Sequence, residues 1–481
     1  MTSDNTKNLS VDICVIGAGS GGLSVAAGAS QLGVSVVLVE RDRMGGDCLN
    51  TGCVPSKALL AAGHAPEVIA GAKKFGISVG TPEIDAPRVR QRVRDVIAAI
   101  EPNDSAARFE GMGVTVIGAT ARFVGPKTIE AGGHTVTARR FIIATGARAA
   151  LPAISGIDKV PSYTNETIFD LEAIPDHLII IGGGPIGMEM ADAHRGLGSR
   201  VSVLEMFSIM PKDDFELVDV VRQAMVKKGI DIRENVRIEG IEASSDGGIS
   251  ITVLAKGGMG KETISGSHLL IATGRRPNVD GLDLDKAGVA YSEKGIEVDK
   301  RLRTSNKKIF AMGDVIGGMQ FTHVAGYHAS IIIKNALFRF PARACHRFVP
   351  WVTYTKPELA QVGQTEAEAL AGGGPIRVLR WPYAENDRAQ TDGKTEGLIK
   401  VITDKKGRIL GAGIAGEAAG ELIGPWILAL SGKMKIGAMA TMIAPYPTLG
   451  EISKRCASSF YTPSLFSEKT RKIVRFLARF G

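Results

Sequence analysis

Short apolar runs, each closed by glycine or an acidic residue, punctuate the chain. Val11–Ile16 runs into Gly17-Ala-Gly-Ser-Gly-Gly22 and an alanine-rich helical stretch, and Val34–Val39 ends on Glu40. Runs this short, bounded by turn signals, predict buried strands. The same events recur later: Leu178–Ile181 leads into Gly182-Gly-Gly-Pro-Ile-Gly187, and Val201–Leu204 ends on Glu205. Phe141–Gly146 (FIIATG) and Leu269–Gly274 (LLIATG) predict a matched pair of strands, and Lys308–Asp314 (KIFAMGD) a strand ending in aspartate. Helical periodicity marks two other stretches. Pro87–Arg108 reads as a charged, solvent-facing amphipathic helix. In Phe466–Gly481, Ile473, Leu477 and Phe480 are spaced i, i+4, i+7, and Val474 and Phe476 widen the stripe.

Strand, GxGxxG, helix, strand and terminal acid together make the dinucleotide-binding fingerprint. Gly17, Gly19 and Gly22 let the backbone approach a pyrophosphate at a helix N-terminus, and Glu40 can accept from a ribose hydroxyl. Gly182, Gly184, Gly187 and Glu205 repeat the set. The interval from first glycine to acid is 23 in both copies, 17 to 40 and 182 to 205. Two such units predict two dinucleotide sites in one polypeptide.

A length of 481 residues predicts two to four domains. Gly 59 is about 12% of the chain, against a usual ~7%, an excess that suits nucleotide loops. Lys+Arg 58 against Asp+Glu 50 gives a mildly basic +8, with no aromatic–basic alternation to suggest nucleic acid. The polar start, MTSDNTKNLS, lacks the apolar core of a secretory signal, and no apolar run is long enough to span a membrane. Of five cysteines, Cys14, Cys345 and Cys456 stand far apart. One local pair plus singles predicts a reducing compartment, the cytoplasm by default.

That pair is Cys48 and Cys53, in Met44–Leu59, MGGDCLNTGCVPSKAL. On a regular helix, residues five apart sit roughly 7.5 Å apart along the axis, beyond the reach of a disulfide. The pair can bridge only across a distorted turn, with Cys48 before the helix proper and Cys53 near its start. Gly52 supplies backbone freedom for that turn, and Pro55 suits a first helical turn. A thiol at a helix N-terminus is activated by the dipole, and Lys57, one turn on, adds positive charge. No second Cys/His cluster completes a zinc site. The pair reads as a redox disulfide.

GGDCLNTGCVPSK closely resembles the GGTCxNxGCxPSK signature of the class I pyridine nucleotide-disulfide oxidoreductases, which include dihydrolipoamide dehydrogenase, glutathione reductase and mercuric reductase. The likeness extends from about Asp12 to Tyr461. It implies an α/β fold: two Rossmann-like domains, for FAD and NAD(P)H, plus a C-terminal α+β dimerisation domain of a homodimer. Expected boundaries are 1–155 and 279–345 for a discontinuous FAD domain, 156–278 for NAD(P)H, 346–465 for the interface, and 466–481 for a basic tail. The disulfide follows the first fingerprint, so FAD belongs there and NAD(P)H at the second. On the same resemblance, Gly46, Lys57, Thr145, Gly146, Asp314 and Thr322 join the flavin site, with Asp314 on the ribityl chain, and Gly274 joins the nicotinamide site. Glu189 resembles the glutamate that pairs with the lysine near the flavin. Glu205 favours a 2′-hydroxyl over a 2′-phosphate, hence NADH, although Arg200 and Lys212 lie near in sequence.

Where thiol-handling members carry His-Pro-Thr followed by Glu, this chain reads Ala444-Pro-Tyr-Pro-Thr-Leu-Gly-Glu451. Tyr446 takes the position of the acid–base histidine and Glu451 is retained. A phenol, with pKa near 10, cannot shuttle protons at neutral pH as imidazole does. Tyrosine here, like Gln320-Phe-Thr-His-Val-Ala, resembles mercuric reductases. Their C-terminal vicinal cysteine pair has no counterpart, and neither does their N-terminal metal-binding extension. The expectation is an FAD-dependent NAD(P)H oxidoreductase whose Cys48–Cys53 pair relays electrons to a metal ion, quinone or disulfide. Dihydrolipoamide dehydrogenase is the alternative within the family, and a flavin–disulfide redox sensor the alternative outside it. His323, His328, Cys14, Trp351 and Trp426 are expected to serve packing. Lys469, Arg471, Lys472, Arg475 and Arg479 give the tail a cationic face that suits either docking on its own dimer or peripheral contact with an anionic membrane.

Overall fold

In the first sheet, the apolar runs alternate between two faces. Cys14, Ile16, Val37, Val39, Phe141 and Ile143 belong to one buried cluster, whereas Ile13, Val15, Leu38 and Ile142 belong to another. A strand presents successive side chains to opposite faces, so runs apolar at every position are buried on both sides. Fully burying each such side chain is worth about 1.5–3 kcal/mol. This computed structural model describes residues 7–244, 247–254 and 260–480. The first six residues of the polar start and Gly481, at the end of the predicted tail, lie outside them. The chain divides into two units: Met1–Gly182 with Gly196–Arg200 and Arg237–Cys345, and Gly183–Arg195 with Val201–Val236 and His346–Gly481.

The first unit is built on β1 (Lys7–Ile16), β2 (Val36–Glu40), β3 (Val114–Gly118), β4 (Ala121–Gly125), β5 (Thr128–Ala131) and β6 (His134–Ile143). Their order is β3-β2-β1-β6-β5-β4, with β4 and β5 antiparallel. Ile309–Ala311 returns across more than 160 residues to pair in parallel with β6, so this sheet is discontinuous in sequence. Helix α1 (Ser20–Gln31) follows β1, and α2 (Gly46–Asn50) and α3 (Cys53–Gly71) follow β2. A Cβ on Gly21 would lie 3.2 Å from Ala325 Cβ, and one on Gly28 2.6 Å from Ile333 Cδ1. Glycine therefore lets α1 pack closely against the helix Thr322–Ala336. His177–Ile181 pairs in parallel with His268–Ile271, and Arg237–Ala243, Ile249–Leu254 and Lys261–Gly266 form an antiparallel meander.

The predicted helix Pro87–Arg108 is broken. The structure has α4 (Ala86–Ile100), a 3₁₀ turn Glu101–Asn103 and α5 (Ala106–Gly111). Pro102 removes a backbone donor, and Ser105 caps a new helix by accepting from Arg108 N at 3.3 Å. The charged face read as continuous is thus two helices.

In the second unit, Ser202–Leu204 pairs in parallel with Asp231–Arg233, and the helix Phe215–Lys227 is capped by Asp214. From residue 350 onward the expected antiparallel sheet is present. Its order is Pro350–Thr353, Glu358–Gly363, Ile409–Gly416, Leu398–Asp404, Ile376–Pro382. Its core surrounds fully buried Trp426 and Tyr383. The tail forms a helix, Glu468–Leu477, whose cap Ser467 accepts from Thr470 N at 3.2 Å. None of that helix is buried within the chain.

Candidate functional site

Each fingerprint closes through the same hydrogen bonds. Glu40 accepts from Ala18 N at 2.6 Å and from Asp42 N at 3.0 Å. Glu205 accepts from Gly183 N at 2.7 Å and from Phe207 N at 2.9 Å. Every residue of the second triangle lies 165 positions after its counterpart (183 − 18, 205 − 40, 207 − 42). Each carboxylate braces its own glycine loop and keeps lone pairs free for a ribose hydroxyl. The first glycines are obligatory. Gly17 and Gly182 have φ of 104° and 111°, and a Cβ on either would lie 2.4 Å from a carbonyl oxygen, of Ala144 and Ala272 respectively. A Cβ on Gly22 would lie 1.9 Å from Gly17 O, which forces the turn tight.

Gly184 and Gly19 are different. Nothing lies within 4 Å of a Cβ on Gly184, and only Gly46 Cα, at 3.9 Å, faces one on Gly19. These positions keep open space above a helix N-terminus, where a pyrophosphate sits. The residues fit a dinucleotide at both loops. Gly146 and Gly274 end the two matched strands with positive φ, and Gly46 at φ 59° packs on Gly19. Gly187 is buried in the helix Pro185–Gly196. Thr145 Oγ1 donates to Asn278 O at 2.8 Å.

The dithiol lies where β2 hands over to the helices. Cys48 lies before the long helix α3, as expected, in the short helix α2 that left-handed Gly45 starts, and the irregular turn falls at Thr51 and Gly52. Cys53 opens α3, with Pro55 buried two residues on. Both sulfurs are thiols here. A hydrogen bond from Cys48 pulls the Cys53 thiol down to about 6, helped by Thr322, whose Oγ1 is 3.4 Å away, and by Lys57. The same hydrogen bond, with burial, pushes Cys48 far up. The pair is asymmetric, one thiolate and one thiol.

Arg275 escaped the sequence reading. Nearly buried, it places Nη2 3.0 Å from Asp47 Oδ2 and Nε 3.5 Å from Asp314 Oδ2. Asp314 sits in the turn Gly313–Ile316 and is raised by burial, with Arg275 opposing. Arg275 therefore ties the residue beside Cys48 to the predicted ribityl aspartate. Part of the signal was available: Arg275-Arg276-Pro277 directly follows LLIATG, and Asp47 stands where the family signature has threonine. Gly313 N donates to Nδ1 of buried His328 at 3.2 Å, and exposed His323 stacks on Phe321. Cys14 and Cys456 are fully buried, and Trp426 donates to Ser453 Oγ in the core.

In the second unit, buried Glu189 accepts from Tyr354 N at 3.0 Å. Exposed Tyr446 donates from Oη to Asp387 Oδ2 at 2.9 Å, which raises the phenol further, and Glu451 starts the helix Glu451–Ser459. Residues 11–329 match the model of pyridine nucleotide-disulphide oxidoreductases, and 349–457 match that family's dimerisation domain. The chain belongs to this family.

Relatives of this oxidoreductase include proteins of two activities. A dihydrolipoyl dehydrogenase of Thermus scotoductus is 37% identical over 463 residues, 94% of this chain and 98% of that one. A mercuric reductase of Bacillus cereus is 33% identical over 457 residues, 94% of this chain and 72% of that one. Among solved structures, the Cu(II) complex of the HOCl-induced flavoprotein disulfide reductase RclA from Escherichia coli superposes with a TM-score of 0.83. It is 28% identical and covers 93% of this chain and 99% of that one. The oxidoreductase thus has an α/β fold with FAD- and NAD(P)H-binding parts and a C-terminal dimerisation domain. Its cofactors are FAD and NAD(P)H, its redox centre is a disulfide/dithiol, and its dimerisation domain makes it a homodimer. Among the described residues no helix is long and apolar enough to cross a membrane.

Proposed function

We propose that this oxidoreductase uses NADH to reduce a thiophilic metal ion held by Cys48 and Cys53. The carrying observation is the asymmetric thiolate–thiol pair combined with a tyrosine, tied to Asp387, in place of an acid–base histidine. Mercuric reductases among the relatives and the Cu(II) complex of a structural neighbour support the same reading. The balance is NADH + Hg(II) → NAD⁺ + Hg(0) + H⁺, or NADH + 2 Cu(II) → NAD⁺ + 2 Cu(I) + H⁺. Either reaction releases a proton. Reduction of a disulfide instead consumes one and needs a group to deliver it.

Cys53 meets the metal already ionised, and Cys48 loses its proton on ligation, because a coordinating thiol is deprotonated outright. Lys57 and Thr322 hold the Cys53 thiolate. FAD, held by the Gly17–Gly22 loop, Glu40 and Asp314, supplies two-electron exchange with the nicotinamide. NADH is preferred because Glu205 sets a carboxylate where NADPH carries a 2′-phosphate, and exposed Met206 and Phe207 offer no cationic clamp. Anaerobic NADH oxidation with Hg(II), Cu(II), lipoamide, glutathione disulfide and a quinone tests the reading. Metal-dependent turnover lost in Cys48→Ser and Cys53→Ser is expected. Lipoamide turnover at about 10² s⁻¹ with no metal response would make it a dihydrolipoyl dehydrogenase, the reading favoured by the 37% relative. One equivalent of NADH consumed with every acceptor, and no turnover, would make it a sensor.

We further infer that residues 466–481 lie on an anionic membrane surface. Ile473, Val474, Phe476, Leu477 and Phe480 are all exposed, five basic residues accompany them, and Glu468 alone is acidic. Each basic residue near such a surface contributes ~1 kcal/mol, so together they can hold the enzyme reversibly. Co-sedimentation with phosphatidylserine liposomes at low salt should require the segment. Equal recovery of full-length and truncated protein in the supernatant leaves only packing on the dimer.

A further inference from the structure

The first unit carries a second, cationic pocket at the opposite end of its sheet from the glycine loops. A cavity of about 260 Å³ lies beside Asp12 and Ile13 of β1, Leu32 and Val34 of the α1–β2 turn, Arg139 and Arg140 of β6, and the segment 336–339 after the helix Thr322–Ala336. Gly17 is four residues beyond Ile13, and Ala144 four beyond Arg140, so the nucleotide cradle opens at the other strand ends.

The charges in this cavity do not balance. Arg139 is neutralised by Asp12, Nη1 to Oδ1 at 2.7 Å, and Asp12 is further held by Ser35. Arg140 has no carboxylate among the described residues. It donates to Arg139 O at 2.8 Å, and burial together with the charges of Arg139 and Arg339 depresses it. Arg339 has no ion pair among the described residues either, and it holds a left-handed φ of 52°. Lys308, with Lys127 beside it, adds to the same field. Like charges gathered at a half-buried cavity cost stability, as does left-handed backbone at a non-glycine residue. The gathered positive charge suits an anion. Arginine's planar fork suits a phosphate bidentately. The remaining wall, Ile13, Leu32 and Val34, is apolar, and Phe338 is an exposed ring at the mouth.

We propose that this pocket binds a nucleoside monophosphate-sized organic phosphate, its phosphate on Arg140 and Arg339 and its apolar body against Leu32, Val34 and Phe338. The test is calorimetric titration of AMP into FAD-loaded enzyme saturated with NAD⁺, which keeps AMP out of both dinucleotide sites. Saturable one-to-one binding that weakens with salt is expected, and adenosine should not bind. Arg140→Ala and Arg339→Ala should each weaken AMP about tenfold or more, the loss of one charge-assisted contact, whereas Arg139→Ala should weaken it less. Flavin content and the KM for NADH should stay at wild-type values in all three variants, which shows that they fold. No AMP binding at millimolar concentration, or equal affinity in the Arg140→Ala/Arg339→Ala double variant, overturns the site. Inorganic phosphate binding as tightly as AMP overturns the role given to the apolar wall.

Discussion

The ionisation of Cys53 is the most exposed point of the functional reading. A thiol held at about 6, against an ordinary 9.0, is ionised roughly ten to one at pH 7 instead of one to a hundred. The largest contributor is the hydrogen bond from Cys48, and burial works against it; Thr322 and Lys57 are smaller aids. Cys48→Ala removes the largest favourable contribution and leaves the burial, so the midpoint should rise by about two units. At pH 7 the thiolate fraction then falls from about nine-tenths to about one-tenth. Ultraviolet thiolate absorbance of the reduced protein against pH, with Cys53→Ser as the blank, reads both midpoints directly. Thr322→Val should move the midpoint the same way by less. A wild-type midpoint near 9, or one that Cys48→Ala leaves unmoved, refutes the assignment of the two sulfurs.

Tyr446→His should raise lipoamide or glutathione disulfide turnover by up to about 10²–10⁴-fold, the usual contribution of general acid–base catalysis, read in a steady-state NADH assay. Lys400 is only 4% exposed and bonds Asp214, Glu216 and Glu366. Lys400→Met should therefore cost about 3–5 kcal/mol by leaving buried Asp214 without its counter-ion, read by urea unfolding. Burial raises Asp213 from 3.8 to about 6, so its folded state prefers the proton. The penalty is absent below pH 4, grows as pH rises from 4 through 6, and is complete above. Asp213→Asn, which still accepts from Trp351, should gain at most about 3 kcal/mol at pH 8 and nothing near pH 4.

Cofactor loops and strands were legible because their constraints are local. Positive φ at Gly17 and Gly182 and full burial of Val11–Ile16 at its C-terminal end leave little choice of residue, and the equal 23-residue interval exposed the duplication. The interface sheet was legible through resemblance rather than pattern. The break after Ile100 was not read, because the charged periodicity of Pro87–Arg108 runs on past Pro102 and hides the new cap at Ser105. Arg275 was missed for a different reason. Its partners, Asp47 and Asp314, lie 228 and 39 positions away, and only the folded chain brings such charges together. The brace role of Glu40 and Glu205 was likewise hidden, since the sequence shows an acid near a ribose but not the two backbone donors it already satisfies.

Asp47 and Tyr446 bear on the same chemical question from opposite sides. A disulfide substrate leaves as thiolates that must be protonated, and the tyrosine works against that. The imidazole is absent, and the phenol in its place is raised still further by Asp387. Asp47 brings a carboxylate next to the thiols, where its charge raises both sulfurs, and Arg275 offsets it through the 3.0 Å ion pair. Lowering Cys53 in spite of that carboxylate requires the internal hydrogen bond from Cys48, so the thiol pair supplies its own activation. Such a pair suits an acceptor that binds two sulfurs at once and takes no proton. Metal ligation displaces the Cys48 proton, ends the internal hydrogen bond that activated Cys53, and replaces it with the metal's charge. A disulfide would engage one sulfur and leave the other protonated, and its thiolates would still need a proton that metal ligation does not.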